Sequence, residues 1–161
     1  MSYLLANLTD DYLREMAGYF ARREVPYPAP LRPQAAPQVL AQGQALVMQG
    51  DAARGLPACV ACHGAAMTGV LPAVPGLLGL SRDYVNSQLG AWQTGQRHAQ
   101  TPDCMAAIAR KLSVQEVAAV SSWLAAQPVP QGGKPLAQLP RPAPMACAGM
   151  DADNTARQEG R

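Results

Sequence analysis

Cys59, Cys62 and His63 are the residues whose types and spacing can do specific chemistry, in the run Cys59-Val60-Ala61-Cys62-His63. Two thiols three positions apart can add across the two vinyl groups of one porphyrin, and the adjacent imidazole then lies under its iron. A CxxCH run therefore predicts one covalently attached haem c, with Cys59 and Cys62 as attachment points and His63 as the proximal iron ligand. Neutral imidazole binds iron well when its other ring nitrogen donates to a carbonyl that fixes the ring.

Other readings of these residues are weaker. A thioredoxin-like redox pair needs a strand before its CxxC, and no strand pattern precedes Cys59. A structural zinc site needs two more ligands at suitable spacing; Cys104 and His98 are present but form no knuckle. Four cysteines occur in all. With Cys59 and Cys62 in one motif, a disulfide framework is a poor description. Whether Cys104 and Cys147 are free thiols or a bridge stays open.

Helices must position this motif. Thr9 is a good N-cap, and Asp10 and Asp11 suit the positive end of the helix that follows it. Leu13, Met16, Ala17 and Phe20 form its apolar face, and it ends before Pro26. The proline-rich stretch over 27–38 reads as a semi-rigid linker. A main domain over 39–130 begins with a helix over Val39–Gln49, with Leu40, Ala41, Ala45 and Met48 expected inside. The glycine- and proline-rich stretch 64–80 reads as loop. A helix starts at Ser81, presents Val85, Leu89 and Trp92 on one face, and stops at Gly95. Ser113 and Glu116 form a capping box for a last helix, whose inner face is Val117, Val120 and Leu124, with Pro128 beyond its end. No strand alternation is evident, so the fold class is all-α. The tail over 131–161 is expected to be mostly irregular.

Composition agrees. Aromatic residues make up 5% of 161 residues, few for a small core, and a haem can supply the missing bulk. A formal charge of +2 points to neither a nucleic-acid partner nor an acidic membrane surface. No apolar run reaches the roughly eighteen residues that a transmembrane helix needs, and residues 1–16 lack the pattern of a signal peptide.

The two ends of the chain are related. At an offset of 104 residues, Leu8 falls on Leu112, Thr9 on Ser113, Ala21 on Ala125, and Val25-Pro26 on Val129-Pro130. Leu13, Met16, Tyr19 and Phe20 fall on Val117, Val120, Trp123 and Leu124. Extended backwards, the register places Met1 on Met105. It predicts an N-terminally incomplete two-haem protein, with residues 1–26 the C-terminal helix of a first domain. That helix would then pack on the remaining domain or be loosely held.

The chain resembles class I cytochrome c, closest to periplasmic tandem-domain di-haem cytochromes c. The resemblance runs through CVACHG (59–64), VPGLLGLSRDYVNSQLGAWQTGQR (74–97) and MAAIARKLSVQEVAAVSSWL (105–124). It implies a small helical domain around one covalent haem, here with an extra N-terminal helix and a C-terminal tail. By this resemblance Pro75 is the proline whose carbonyl accepts from the proximal histidine, and Arg97 falls near the haem propionates. The distal ligand is expected at Met105, 42 residues beyond His63 and just before the last helix, where the family places it. Met67 is too close to His63 to cross the haem, Met48 lies in the preceding helix, and Met145 and Met150 lie in the tail. His98 is the alternative.

A His/Met iron has no open position for substrate and a raised potential. The implied function is electron transfer, as a shuttle or as the cytochrome subunit of a periplasmic dehydrogenase or respiratory chain. Redox donor and acceptor proteins are the expected partners, a dehydrogenase or terminal oxidase among them. The other reading is a peroxidase-like or gas-binding haem protein with the sixth position open. A periplasmic location follows from the family alone.

Overall fold

A computed structural model describes residues 2–23, 27, 29–30, 32, 35–148 and 150. The elements are α1 (Ser2–Leu5), α2 (Asp10–Ala21), α3 (Pro37–Met48), α4 (Val60–His63), β1 (Gly69–Val70), β2 (Val74–Pro75), α5 (Arg82–Gln93), α6 (Cys104–Ala109) and α7 (Val114–Ala125). The fold is the expected one, mostly helical.

Local signals place the helix starts. The Thr9, Ser81 and Ser113 hydroxyls accept from the backbone N–H groups of Tyr12, Tyr84 and Glu116. Each satisfies one of the donors a helix start leaves unpaired. At Ser113 the box is complete, because the Glu116 carboxylate also accepts from the Ser113 N–H at 2.8 Å.

Helix α7 is the centre of the packing, with α3 and α5 against it and α6 against α5. Val117, Val120 and Leu124 are buried, as expected, together with Leu46, Val47, Leu56, Val85, Leu89 and Leu112. The face expected for α3 is corrected. The helix begins at Pro37, and its buried residues are Gly43, Leu46 and Val47, while Ala41, Ala45 and Met48 are exposed and Leu40 is half-buried. The cause is a close crossing: a Cβ on Gly43 would stand 2.2 Å from the Ala119 carbonyl oxygen. Contact of two backbones sets the rotation of α3, and hydropathy carries no trace of it.

The stretch expected as plain loop holds a small antiparallel ribbon, with Gly69 opposite Pro75 and Val70 opposite Val74. Two residues per strand are too few for alternation to show. The described part of the tail has no helix or strand element, yet it is tied to the domain. The Leu71 N–H donates to the Leu136 carbonyl at 2.8 Å and the Leu136 N–H donates to Gly69 at 2.9 Å. A Cys104–Cys147 disulfide settles the open question about those thiols.

No residue of α2 is buried, and Phe20 is 67% exposed. Leu13 is half-buried and Met16 exposed. None of the main helix packings among the described residues involves α2.

Candidate haem-binding site

Leading into the motif, the chain leaves α3 through Gly50, whose φ of 71° favours glycine. A tight loop follows, closed by the Asp51 and Leu56 backbone groups bonding to each other at 2.7 and 2.9 Å. Arg54 locks this loop to the start of α7. Its guanidinium donates to Glu116 at 2.6 and 3.1 Å, to Asp51 at 2.7 Å and to the Lys111 carbonyl at 3.2 Å. The position of the motif is thereby referred to the central helix.

The motif is one helical turn. The His63 N–H donates to the Cys59 carbonyl at 2.9 Å, so Cys59 and Cys62, three apart, lie on the same side of the turn. Both thiols are free of disulfides. Burial pushes Cys59 up to about 11 and raises Cys62 as well. A reactive thiolate pair of the thioredoxin kind needs the opposite shift.

His63 is 6% exposed, and its Nδ1 lies 2.8 Å from the Pro75 carbonyl oxygen. A carbonyl can only accept, so Nδ1 carries the proton and Nε2 keeps its lone pair. Burial lowers the histidine below its usual range and the Pro75 carbonyl partly offsets this. The ribbon aims that carbonyl. At Gly69 the φ is 93°, and a Cβ there would meet the Val74 carbonyl oxygen at 2.5 Å, so the close return of β2 needs glycine.

Met105, the second residue of α6, packs half-buried against the core together with Cys59, Val60, Leu77, Ile108 and Trp92. Met67 is 7% exposed and is fixed by backbone bonds to Gly64 and Leu77. Met48 is turned outward and Met145 and Met150 lie in the tail. Arg97 and His98 lie in the exposed stretch 94–102. Arg97 donates to the Gln88 side chain and stacks over Trp92, 4.1 Å from the ring centroid.

Trp92 was legible in the sequence as an apolar face residue and not as a polar group. Its buried Nε1 is the one buried side-chain nitrogen or oxygen without a partner among the described residues. A buried indole N–H ordinarily finds an acceptor. This orphan donor beside a guanidinium fits an acidic group of a bound haem. The two neighbouring thiols and the pre-set imidazole fit its vinyls and its iron. Among the described residues no cluster of three or more His, Cys, Asp or Glu is placed to hold a metal ion directly.

No family model matches the chain. Known proteins do. Over 81 residues it is 36% identical to cytochrome c-554(548) of Halomonas halodenitrificans, covering 98% of that protein and 48% of this chain.

The chain belongs to the class I c-type cytochromes.

The cytochrome is also 34% identical over 130 residues to a thiosulfate dehydrogenase electron acceptor of Thiomonas intermedia, covering 80% of this chain and 58% of the relative. Among solved structures, reduced cytochrome c4 from Pseudomonas stutzeri superposes with a TM-score of 0.64 at 29% identity, over 76% of this chain and 63% of that one. The cytochrome thus spans about three fifths of the length of these larger relatives.

Proposed function

We propose that this cytochrome carries single electrons through one haem c attached at Cys59 and Cys62, with His63 and Met105 as axial ligands. The observation that carries the proposal is the 2.8 Å approach of His63 Nδ1 to the Pro75 carbonyl, which pre-sets Nε2 for iron. When bound, the haem supplies an iron that changes by one charge. The chain holds the imidazole tautomer through Pro75, offers the Met105 thioether, and shields the site from water with the α5–α7 core. Arg97 would balance the charge of a propionate, and the Trp92 Nε1–H would donate a hydrogen bond to one. A haem held by both His63 and Met105 would have no open position for a substrate and would exchange single electrons with little rearrangement.

Redox proteins are the proposed partners. The nearest indication is the Thiomonas relative, whose name makes it an electron acceptor for thiosulfate dehydrogenase. A dehydrogenase donor and a respiratory acceptor, both in the periplasm, follow from that reading. No described helix is long and apolar enough to cross a membrane.

The domain reading of the N-terminal segment is part of the proposal. Helices α2 and α7 coincide end to end at the offset of 104 residues, and α1 falls on the last four residues of α6. This supports residues 1–26 as the C-terminal helix of a first cytochrome domain, followed by the linker, the 39–130 domain and the tail. An in-frame CxxCH encoded upstream of Met1 is the expected finding; a stop codon there removes the reading.

Mass spectrometry of protein matured in a haem-attaching host tests the site. One haem that resists acid–acetone extraction is expected, and extractable haem overturns attachment. The ferric protein should show the weak near-infrared band of sulfur–iron ligation, and Met105→Ala should lose it and bind carbon monoxide. A bis-histidine spectrum would move the ligand to His98, and carbon monoxide binding by the wild type would favour an open-site haem protein.

A further inference from the structure

The segment that delivers Met105 is tied to α5 at Arg97, through its N–H on the Ala91 carbonyl at 3.0 Å and its side chain on Gln88 and Trp92, and is open to solvent on its other side. Residues 94–102 before it are exposed throughout. They close on α6 through Asp103, which accepts from Ala106 N–H at 2.9 Å and from Ala99 N–H at 2.7 Å. Firm attachment to the core begins only at Ala106 and Ala109, which are 5% and 0% exposed. Exposed stretches with few buried contacts open most readily, and a ligand at the end of one is easily released.

The tail meets this open side. Cys147 is 9% exposed and bonded to Cys104, the residue just before Met105. The Ala148 N–H donates to the Pro102 carbonyl at 3.0 Å, a second hold on the same turn. The other end of the tail is fastened at Leu136, which joins β1 through its own N–H and C=O. Its Cδ1 also lies 3.1 Å from where a Cβ on Gly64 would be, beside His63. The ribbon that receives Leu136 carries Pro75, the partner of His63. Residues 136–148 therefore run from the segment that orients the proximal histidine to the segment that carries the distal methionine.

We propose that the Cys104–Cys147 disulfide is a positioning device for the iron's sixth ligand. It makes the tail a strap joining the two ligand-bearing segments, and so holds Met105 in place. The proposal rests on Met105 being the distal ligand.

The test uses the full-length holoprotein with Cys104 and Cys147 both changed to serine, so that no free thiol is left beside the iron. The variant should keep its covalent haem and its helix content. It should lose part or all of the sulfur–iron band, take up carbon monoxide that the wild type refuses, and shift to a lower reduction potential. A second route avoids mutation. The wild-type holoprotein is reduced with a phosphine, capped with iodoacetamide and reoxidised. Mass spectrometry should count two caps, since Cys59 and Cys62 are occupied by haem, and the same spectral change should follow. If the wild type has the band, and both the variant and the capped protein keep it with unchanged potential and no carbon monoxide binding, the strap has no positioning role. A wild type without the band overturns the Met105 assignment and the strap's role together.

Discussion

Helices α2 and α7 have the same length and the same kind of start, and opposite fates. Each has twelve residues after a hydroxyl cap, with cap bonds of 3.3 Å at Thr9 and 3.2 Å at Ser113. Helix α7 buries Val117, Ala119, Val120, Ser121 and Leu124, whereas α2 buries nothing. The positions of α2 in the same register are Leu13, Glu15, Met16, Ala17 and Phe20. Local chemistry makes both helices, and what lies opposite decides whether their apolar faces contribute to stability. At Ala119 they differ in kind. Ala119 lies under the Gly43 crossing, and its counterpart is Glu15, so a partner for α2 must leave that carboxylate a path to water.

The comparison breaks most sharply at the apolar face. Leu124→Ala should cost the domain about 2–5 kcal/mol in denaturant unfolding, the usual cost of emptying a buried leucine site. Phe20→Ala should cost less than about 0.5 kcal/mol, as for an exposed side chain. Equal losses would show α2 to be part of the same cooperative unit. The glycines come next. Gly43→Ala forces a methyl group into the Ala119 backbone and should cost about 1–3 kcal/mol. Gly18→Ala meets nothing nearer than the flexible end of Arg22, at 3.2 Å. It should leave the main melting transition unchanged and raise helicity slightly, by circular dichroism. At the caps, Ser113→Ala should cost about 1 kcal/mol, and Thr9→Ala should lower helicity without moving the transition.

The smallest effect sharpens the comparison through pH. Hydrogen bonds from Arg54 hold the Glu116 carboxyl below its ordinary 4.5. A lowered carboxyl stabilises the fold fully above its unfolded value, and that contribution is lost as pH falls through its folded value. The wild-type melting temperature should therefore fall on acidification below about pH 4.5. The profile of Glu116→Gln should be flatter there. A change at Tyr12, the α2 counterpart, should leave the profile as it is.

Features that act within a few residues were legible in the sequence. The three hydroxyl caps, the capping box, the inner faces of α5 and α7 and the CxxCH turn all depend on neighbours in the chain. Features that depend on distant backbone were not. The rotation of α3 follows from Gly43 meeting Ala119, the ribbon from Gly69 admitting the return of β2, and the tail's course from Leu136 joining β1. Trp92 read as one more apolar residue, because its unpaired N–H matters only in the folded surroundings. The Cys104–Cys147 pairing was undecidable from spacing, since any pairing needs Cα atoms brought close, here to 5.0 Å.

That pairing bears on how the protein is put together. Four cysteines allow three complete pairings, and an oxidising compartment would sample all of them. Cys59 and Cys62 share one helical turn, so the proposed haem attachment would withdraw both at once and leave a single way to join what remains. Maturation in the order haem first, tail last needs no disulfide to be undone. The reverse order risks trapping an attachment thiol in a wrong bridge. The porphyrin would in that sense proofread the oxidation of its own polypeptide.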